Sequence, residues 1–383
     1  MTDITFEFKD KGMVIGLPEG PTYFNYYWLR DTCVTTLDPQ TRERIFDISS
    51  VTSQPVALSA HVDGDMLVIA WENEVQPSRV PMKLIREMAA NGRPHDPAEL
   101  PRNLWFSDHL PRITRVPQNA VLETEDGLAT LTRALIVDGI AVVTGMDKTD
   151  EALFRLVQAI GPVTPSAEGL DFNVRVEINP TNLAFTAGPL EMHTDLPGEE
   201  KAPGVQFLHC LENTVQGGLS LFLDGAAVAE ALRVEDPKAF ALLASEDIPF
   251  FYRHDNWDYR AHQRVIETDH DGNVTGVTIS QHLQDTIDLP QEMLDDYYPA
   301  LIKFIQLMQE DRFMIRFRSE AGNCVIFDNH RIVHGREGYV ADSGARHLRG
   351  CYSDRGALRS TYRVLAGKGF DGMVQPAETK ISA

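Results

Sequence analysis

Met192-His193-Thr194-Asp195-Leu196-Pro197 is the stretch around which the rest of the chain is organised. Alternate residues of an extended segment point to the same side, so His193 and Asp195 reach one point together. Two imidazoles and one carboxylate can cover one face of an octahedral Fe(II) and leave the opposite positions open. The third ligand must come from elsewhere. His334 is the candidate, in Phe327-Asp328-Asn329-His330-Arg331-Ile332-Val333-His334-Gly335-Arg336. Arg346 follows twelve residues later, a spacing that lets a neighbouring strand return it to the same cavity. A lone His-x-Asp arises by chance; the ordered set of four is far more specific. His330 and His334 are four apart, like a helical zinc pair, but no His-Glu-x-x-His accompanies them. Cys324-Val325-Ile326-Phe327 reads as a strand, which puts His330 in the turn before His334. His209 and His347 read as core or supporting residues.

The chain has 383 residues, enough for one large domain and a smaller one. Hydrophobic residues make up 43% and aromatics 8%, ordinary values for a globular protein. No run approaches the ~18–20 apolar residues that span a bilayer. Met1-Thr2-Asp3-Ile4-Thr5-Phe6-Glu7-Phe8-Lys9 lacks the cationic start and apolar run of a secretory signal. A net charge of −21 argues against nucleic acid, which calls for a basic stripe. Cys33, Cys210, Cys324 and Cys351 are widely spaced. Without an export signal they are expected as free thiols in a reducing cytoplasm.

Short strands punctuated by Gly, Pro and Asp are expected at Thr5–Phe8, Met13–Ile15, Phe24–Trp28, Arg44–Asp47 and Met66–Trp71. They imply a small β-rich domain over residues 1–95, with a short helix from Pro81 to Ala90. Residues 96–125 hold Pro97, Pro101, Pro111 and Pro117 and read as a linker, pinned to a core by Trp105 and Phe106. The catalytic domain is expected over 126–383. Helical patterns lie at Leu128–Asp138, Glu151–Ile160 and Leu301–Gln309. Strand-like runs lie at Ile140–Val143, Val205–His209, Ser220–Leu223, Met314–Phe317 and Cys324–Phe327. Ligands carried on strands, with helices packed outside, predict a mainly β fold whose core is a double-stranded β-helix, or jelly-roll.

The local wording extends the match. Asn182-Leu183-Ala184-Phe185-Thr186-Ala187-Gly188 precedes the His-x-Asp stretch, and Pro203-Gly204-Val205-Gln206-Phe207-Leu208-His209-Cys210 and Gly217-Gly218-Leu219-Ser220 follow it. The last segment is Arg346-His347-Leu348-Arg349-Gly350-Cys351-Tyr352-Ser353-Asp354. Together these resemble the γ-butyrobetaine dioxygenase family, within the taurine-dioxygenase superfamily of Fe(II)/2-oxoglutarate oxygenases. The resemblance runs over nearly the whole chain and is strongest from about Phe172 to Asp354.

The resemblance implies that His193, Asp195 and His334 hold Fe(II). 2-Oxoglutarate would chelate the metal, dioxygen would take the last position, and succinate and carbon dioxide would be released. Arg346 would clasp the distal carboxylate of 2-oxoglutarate, because a guanidinium fork matches a carboxylate bidentately. Ser220 falls where the family places a hydroxyl near the cosubstrate. Phe172, Phe185 and Tyr352 match three positions of an aromatic cage for a trimethylammonium group, which cannot donate a hydrogen bond and is best held by ring faces. A fourth cage aromatic falls near Glu168, so Glu168 or Asp171 would supply negative charge instead. Asn182 matches an Asn that helps hold the substrate carboxylate; a second such Asn falls near Ser280-Gln281. The bland alternative makes Phe172 and Phe185 simple core residues. The family's N-terminal zinc cluster is reduced to Cys33, with Val80 near the place of its His. No zinc is expected, because a structural site wants four protein ligands. The family also implies a homodimer.

These readings lead to an enzyme acting on a small molecule and dioxygen, in the cytoplasm, away from membranes and nucleic acid. The leading substrate is a trimethylammonium carboxylate such as γ-butyrobetaine. A trimethylammonium phosphonate of the 2-trimethylaminoethylphosphonate type is the alternative, motivated by the changed second Asn position and by Arg253 or Arg260. A cupin-like binding protein without catalysis is the alternative of another class. The segment Phe251–Arg260 reads equally as a lid or a solvated hairpin.

Overall fold

Asn25 ends one strand and starts a helix, because its side chain accepts hydrogen bonds from the Tyr27 and Trp28 amides at the head of Tyr26–Asp31. This corrects the strand expected over Phe24–Trp28, which stops at Asn25. The structure, a computed structural model, describes residues 4–72, 74–176, 182–254 and 256–370. It divides into two compact units, Met1–Asp96 and Pro97–Ala383.

The first unit has two three-stranded antiparallel sheets. One holds Thr5–Phe8, Gly12–Leu17 and Gly20–Asn25; the other holds Ala57–Asp63, Met66–Trp71 and Ser78–Pro81. Alternating apolar residues Met13, Ile15, Leu67, Ile69 and Trp71 turn inward with Ile85 of the helix Met82–Asn91. Arg44–Asp47 forms no strand, only a single bridge from Arg44 to Leu37. The buried Cys33 thiol accepts the Arg79 amide at 3.0 Å and lies 2.9 Å from the Thr35 hydroxyl.

In the second unit a seven-stranded sheet runs in the order Phe172–Val174, Arg346–Ser353, Val205–Asn213, Cys324–Asp328, Ile140–Thr144, Arg115–Pro117, with Val163–Thr164 also paired to Arg346–Ser353. A four-stranded sheet runs Leu190–His193, Ile332–Arg336, Ser220–Asp224, Ile315–Phe317. Phe222, Ile315 and Ile332 of the smaller sheet share a core with Ile140, Val142, Val325 and Phe327 of the larger one. The opposite face of the larger sheet packs on the helices Glu125–Val137, Asp150–Ile160 and Arg355–Gly367. The helices Gly225–Glu235, Pro237–Ser245 and Gln291–Met308 cover the smaller sheet through Leu223 and Val333. The proline-rich stretch from Pro97 onward belongs to this unit. Trp105 is buried there and donates its indole N–H to the Asp138 carbonyl at 2.8 Å, while Phe106 is exposed.

The expected mainly β jelly-roll is therefore corrected. The strand pairing gives a mixed α/β fold of several separate sheets, and none closes on itself. Helices were found at the three expected places, but the helix Gly225–Glu235 was not expected. Gly225-Ala226-Ala227-Val228-Ala229 is buried all round, so it lacks the polar stripe by which an amphipathic helix is recognised. Among the described residues, no helix is long and apolar enough to cross a membrane.

Candidate active site

His193 ends one strand of the smaller sheet and pairs directly with His334 on the next. The two strands approach closely at Gly335, where a Cβ would lie 2.7 Å from the Leu190 carbonyl oxygen and 3.0 Å from the Met192 sulfur. The imidazole centroids are 4.2 Å apart. Asp195 lies just past the strand end, its Oδ1 3.1 Å from His193 Nε2 and 3.6 Å from His334 Nε2. One ligand atom from each residue lies within 4.8 Å of the others. Among the described residues, this is the group of His, Cys, Asp and Glu side chains able to hold a metal ion.

The surroundings prepare these groups for a cation. His193 Nδ1 lies 2.8 Å from the Glu191 carbonyl, which leaves Nε2 directed toward Asp195 and the cluster. Burial, reinforced by His193, pushes His334 down to about 3, so its ring is neutral at pH 7. Burial opposes ionisation of Asp195, but His334, His193 and the Tyr352 hydroxyl together hold its carboxyl below the ordinary range. Tyr352 donates to Asp195 Oδ2 at 2.7 Å, leaving Oδ1 toward the histidines. Burial, and then the charge of Asp195, raises the Tyr352 phenol well above its usual value, so it stays a donor. Two imidazoles and an oriented carboxylate fit a small divalent transition-metal ion with further positions open to other ligands.

The His-x-Asp backbone is pinned on both sides. Asn329 accepts the Asp195 amide at 2.8 Å and donates to the carbonyls of Asp195 and Pro203 at 3.1 and 3.0 Å. Thr194 exchanges hydrogen bonds with the Ile279 backbone. Leu196 is held at φ 51, a left-handed conformation that is uncommon for a non-glycine residue. It lies immediately after the carboxylate that this backbone must aim.

Two chambers meet at these ligands. The first, about 530 Å³, lies between the two sheets. Strand alternation lines it with Ser220 and Phe222, His334 and Arg336, Gln206 and Leu208, Arg346 and Leu348. Ser220 Oγ sits 2.9 Å from Ser319 Oγ. Arg346 is buried, and its Nε and Nη1 have no hydrogen-bond partner. Burial and the neighbouring Arg336 lower its pKa to about 10, so it remains charged at pH 7. A buried cation with free donors is costly and calls for an anion.

The second chamber, about 440 Å³, is lined by Phe172, Asn182, Phe185 and Tyr352, with Glu168 and His282. Phe172 and Tyr352 stand 5.3 Å apart, and the Phe172 ring occupies the space where a Cβ on Gly350 would lie. The Glu168 carboxylate accepts the Tyr252 hydroxyl, which also interacts with the Asn182 side chain. Asn182 Oδ1 accepts the Ala184 amide, capping the turn Leu183–Phe185. The His282 ring meets His193 at 5.1 Å.

The structure thus brings His193, Asp195, His334, Ser220 and Arg346 to one chamber, and Phe172, Asn182, Phe185 and Tyr352 to the other. The sequence reading missed Arg336, although its i+2 spacing from His334 on a strand was a usable signal. It also missed the Tyr352–Asp195 bond, Asn329 and His282, which no local pattern marks. The segment Phe251–Arg260 belongs to the hairpin Asp247–His254 and Trp257–Arg264, with position 255 outside the described residues. Arg253 and Arg260 both pair there with Asp258, at 3.2 and 2.8 Å.

Residues 108–352, more than half of the chain, match the family model of the taurine catabolism dioxygenase TauD, TfdA family. The chain is 34% identical over 357 residues to a gamma-butyrobetaine dioxygenase of Pseudomonas sp. (strain AK-1), covering 89% of this chain and 90% of that protein. It is 33% identical over 232 residues to the human gamma-butyrobetaine dioxygenase, covering 59% of this chain and 60% of that one. It is 24% identical over 354 residues to the mitochondrial trimethyllysine dioxygenase of Mus musculus, covering 89% and 82%. With the two-histidine, one-aspartate cluster in place, the chain belongs to the taurine catabolism dioxygenase TauD, TfdA family and is an Fe(II)- and 2-oxoglutarate-dependent dioxygenase.

Proposed function

We propose that the protein hydroxylates a small trimethylammonium carboxylate, with γ-butyrobetaine as the reference substrate. The observation that carries this reading is the second chamber. It combines the rings of Phe172, Phe185 and Tyr352 with the Glu168 carboxylate, next to the metal ligands. Aromatic faces and a carboxylate both favour a cation. A quaternary ammonium against desolvated rings gains up to about 2 kcal/mol. The relatives' activity on γ-butyrobetaine and trimethyllysine, as their names state it, supports the same class.

His193, Asp195 and His334 would hold Fe(II). Once bound, it supplies dioxygen activation coupled to oxidative decarboxylation of 2-oxoglutarate and oxygen insertion into a substrate C–H bond. The side chains do the rest. Tyr352 holds Asp195 by one oxygen. Arg346 takes the distal carboxylate of 2-oxoglutarate through its free Nε and Nη1, with Ser220 beside it. Leu208, Phe222 and Leu348 give that chamber apolar walls, which strengthens the ion pair. Asn182 and His282 are the polar groups placed to meet the substrate's anionic end.

A carboxylate is favoured over a phosphonate. No Arg or Lys stands among the described residues lining the second chamber, and Arg253 and Arg260 are engaged by Asp258 on the hairpin. A doubly charged anion would lack a cationic partner there. The test is Fe(II)-dependent succinate release with γ-butyrobetaine, 2-trimethylaminoethylphosphonate and a neutral tert-butyl analogue. Turnover of γ-butyrobetaine above the other two is expected. Preference for the phosphonate, or equal turnover of the neutral analogue, would overturn the substrate assignment.

A further inference from the structure

Arg336 is buried, lines the first chamber and bonds to the wall of the second. Its two terminal nitrogens donate to three backbone carbonyls: Ala184 at 3.0 Å, Thr186 at 2.7 Å and Gly188 at 2.7 Å. These carbonyls belong to the loop that carries Asn182 and Phe185, both of which line the second chamber. Its Nε is buried without a partner. The guanidinium lies 5.1 Å from the Tyr339 ring centre, and Arg346 lies 5.7 Å from the same ring. Two buried guanidiniums therefore share one ring and one chamber. Neither has a carboxylate partner among the described residues.

The geometry points to Arg336 as a positioning residue that couples occupancy of the 2-oxoglutarate chamber to order in the wall of the substrate chamber, residues 182–188. This rests on the reading that Arg346 receives the cosubstrate's distal carboxylate. Without an anion, the buried Arg336 and Arg346 repel each other across the chamber they share. A carboxylate delivered to Arg346 neutralises that repulsion. Arg336 then settles, and so do the three carbonyls it holds. Phe185 and Asn182 are therefore held more firmly when cosubstrate is in place. Linkage makes the effect reciprocal. Arginine suits the task because a planar fork spans several acceptors, which a lysine ammonium cannot reproduce in the same geometry.

The experiment is hydrogen exchange of the full chain loaded with Mn(II), with and without saturating 2-oxoglutarate, in wild type, Arg336→Lys and Arg346→Met. Calorimetry on the same samples measures 2-oxoglutarate affinity. In wild type, 2-oxoglutarate should slow exchange across 182–188 by about fivefold or more, a typical coupling. In Arg336→Lys the cosubstrate should still bind while that slowing disappears. A loss of fold would change the baseline throughout the chain and not this response alone. No slowing in wild type overturns the proposal without reference to any variant. Retained slowing in Arg336→Lys also overturns it. Loss of 2-oxoglutarate binding in Arg336→Lys would make Arg336 a direct ligand and overturn the transmitting role. Unchanged 2-oxoglutarate affinity in Arg346→Met would instead refute the underlying chamber assignment.

Discussion

The two chambers share Phe172, Val174, Ala184, Leu190, His193 and Asp195 as walls yet are built on different principles. The first is made of strand residues two apart: Ser220 and Phe222, His334 and Arg336, Arg346 and Leu348. Backbone ladders on both sides fix their directions. The second takes Glu168, Asn182, Phe185 and His282 from turns and connecting segments, and their directions depend on single side-chain contacts. On the proposed reading, chemistry common to the family rests on a rigid ladder, and substrate choice would sit where a few contacts can change it. Changes in the first chamber should therefore abolish or greatly weaken binding. Changes in the second should redistribute preference among substrates.

Asp195→Ala gives the largest expected effect. Succinate release should fall to background and metal content should drop, while the circular dichroism of the fold is retained. Measurable turnover would break the assignment of the first chamber. Arg346→Met comes next. Losing a buried charge partner costs about 2–5 kcal/mol, so the 2-oxoglutarate requirement should rise roughly thirtyfold or more. The same variant should raise the melting temperature of the cosubstrate-free protein, because it removes a buried cation with unpaired donors. Unchanged cosubstrate dependence would move that role to another residue.

Tyr352→Phe sharpens the comparison, because Tyr352 faces the second chamber but acts on a ligand of the first. Loss of its bond to Asp195 should weaken metal affinity by about 10–100-fold, as removal of an outer hydrogen-bond partner typically does. Metal titration checks this, and the affinity of unaltered wild type in the variant would confine Tyr352 to the substrate side. Phe185→Leu has the smallest effect, at most about 2 kcal/mol. It should weaken γ-butyrobetaine more than the neutral tert-butyl analogue in a binding titration. Equal weakening would mean that Phe185 is packing and that the second chamber does not select for charge.

The metal ligands could be read along the chain because alternation on a strand is a local rule. His193 with Asp195 needs no knowledge of distant contacts; His334 and Arg346 were named from their order along the chain and from the family resemblance, and only strand pairing brings them to His193. His193, Asp195, His334, Ser220 and Arg346 were named from the sequence, and strands were expected at Met66–Trp71 and Val205–His209, where Met66–Trp71 and Val205–Asn213 are found. The jelly-roll expected from the sequence did not hold, because strand order and closure depend on which backbone edges pair, and that information is absent from any single window. The helix at Gly225–Glu235 escaped for a related reason: its first turns, Gly225–Ala229, are sunk into a core and lose the polar stripe that marks the period. Tertiary contacts join residues over long separations. Tyr352 reaches Asp195, Tyr252 reaches Glu168, and Arg336 reaches the carbonyls of 184–188. A side chain's chemistry is written at its own position, but the partner that completes it is chosen by packing.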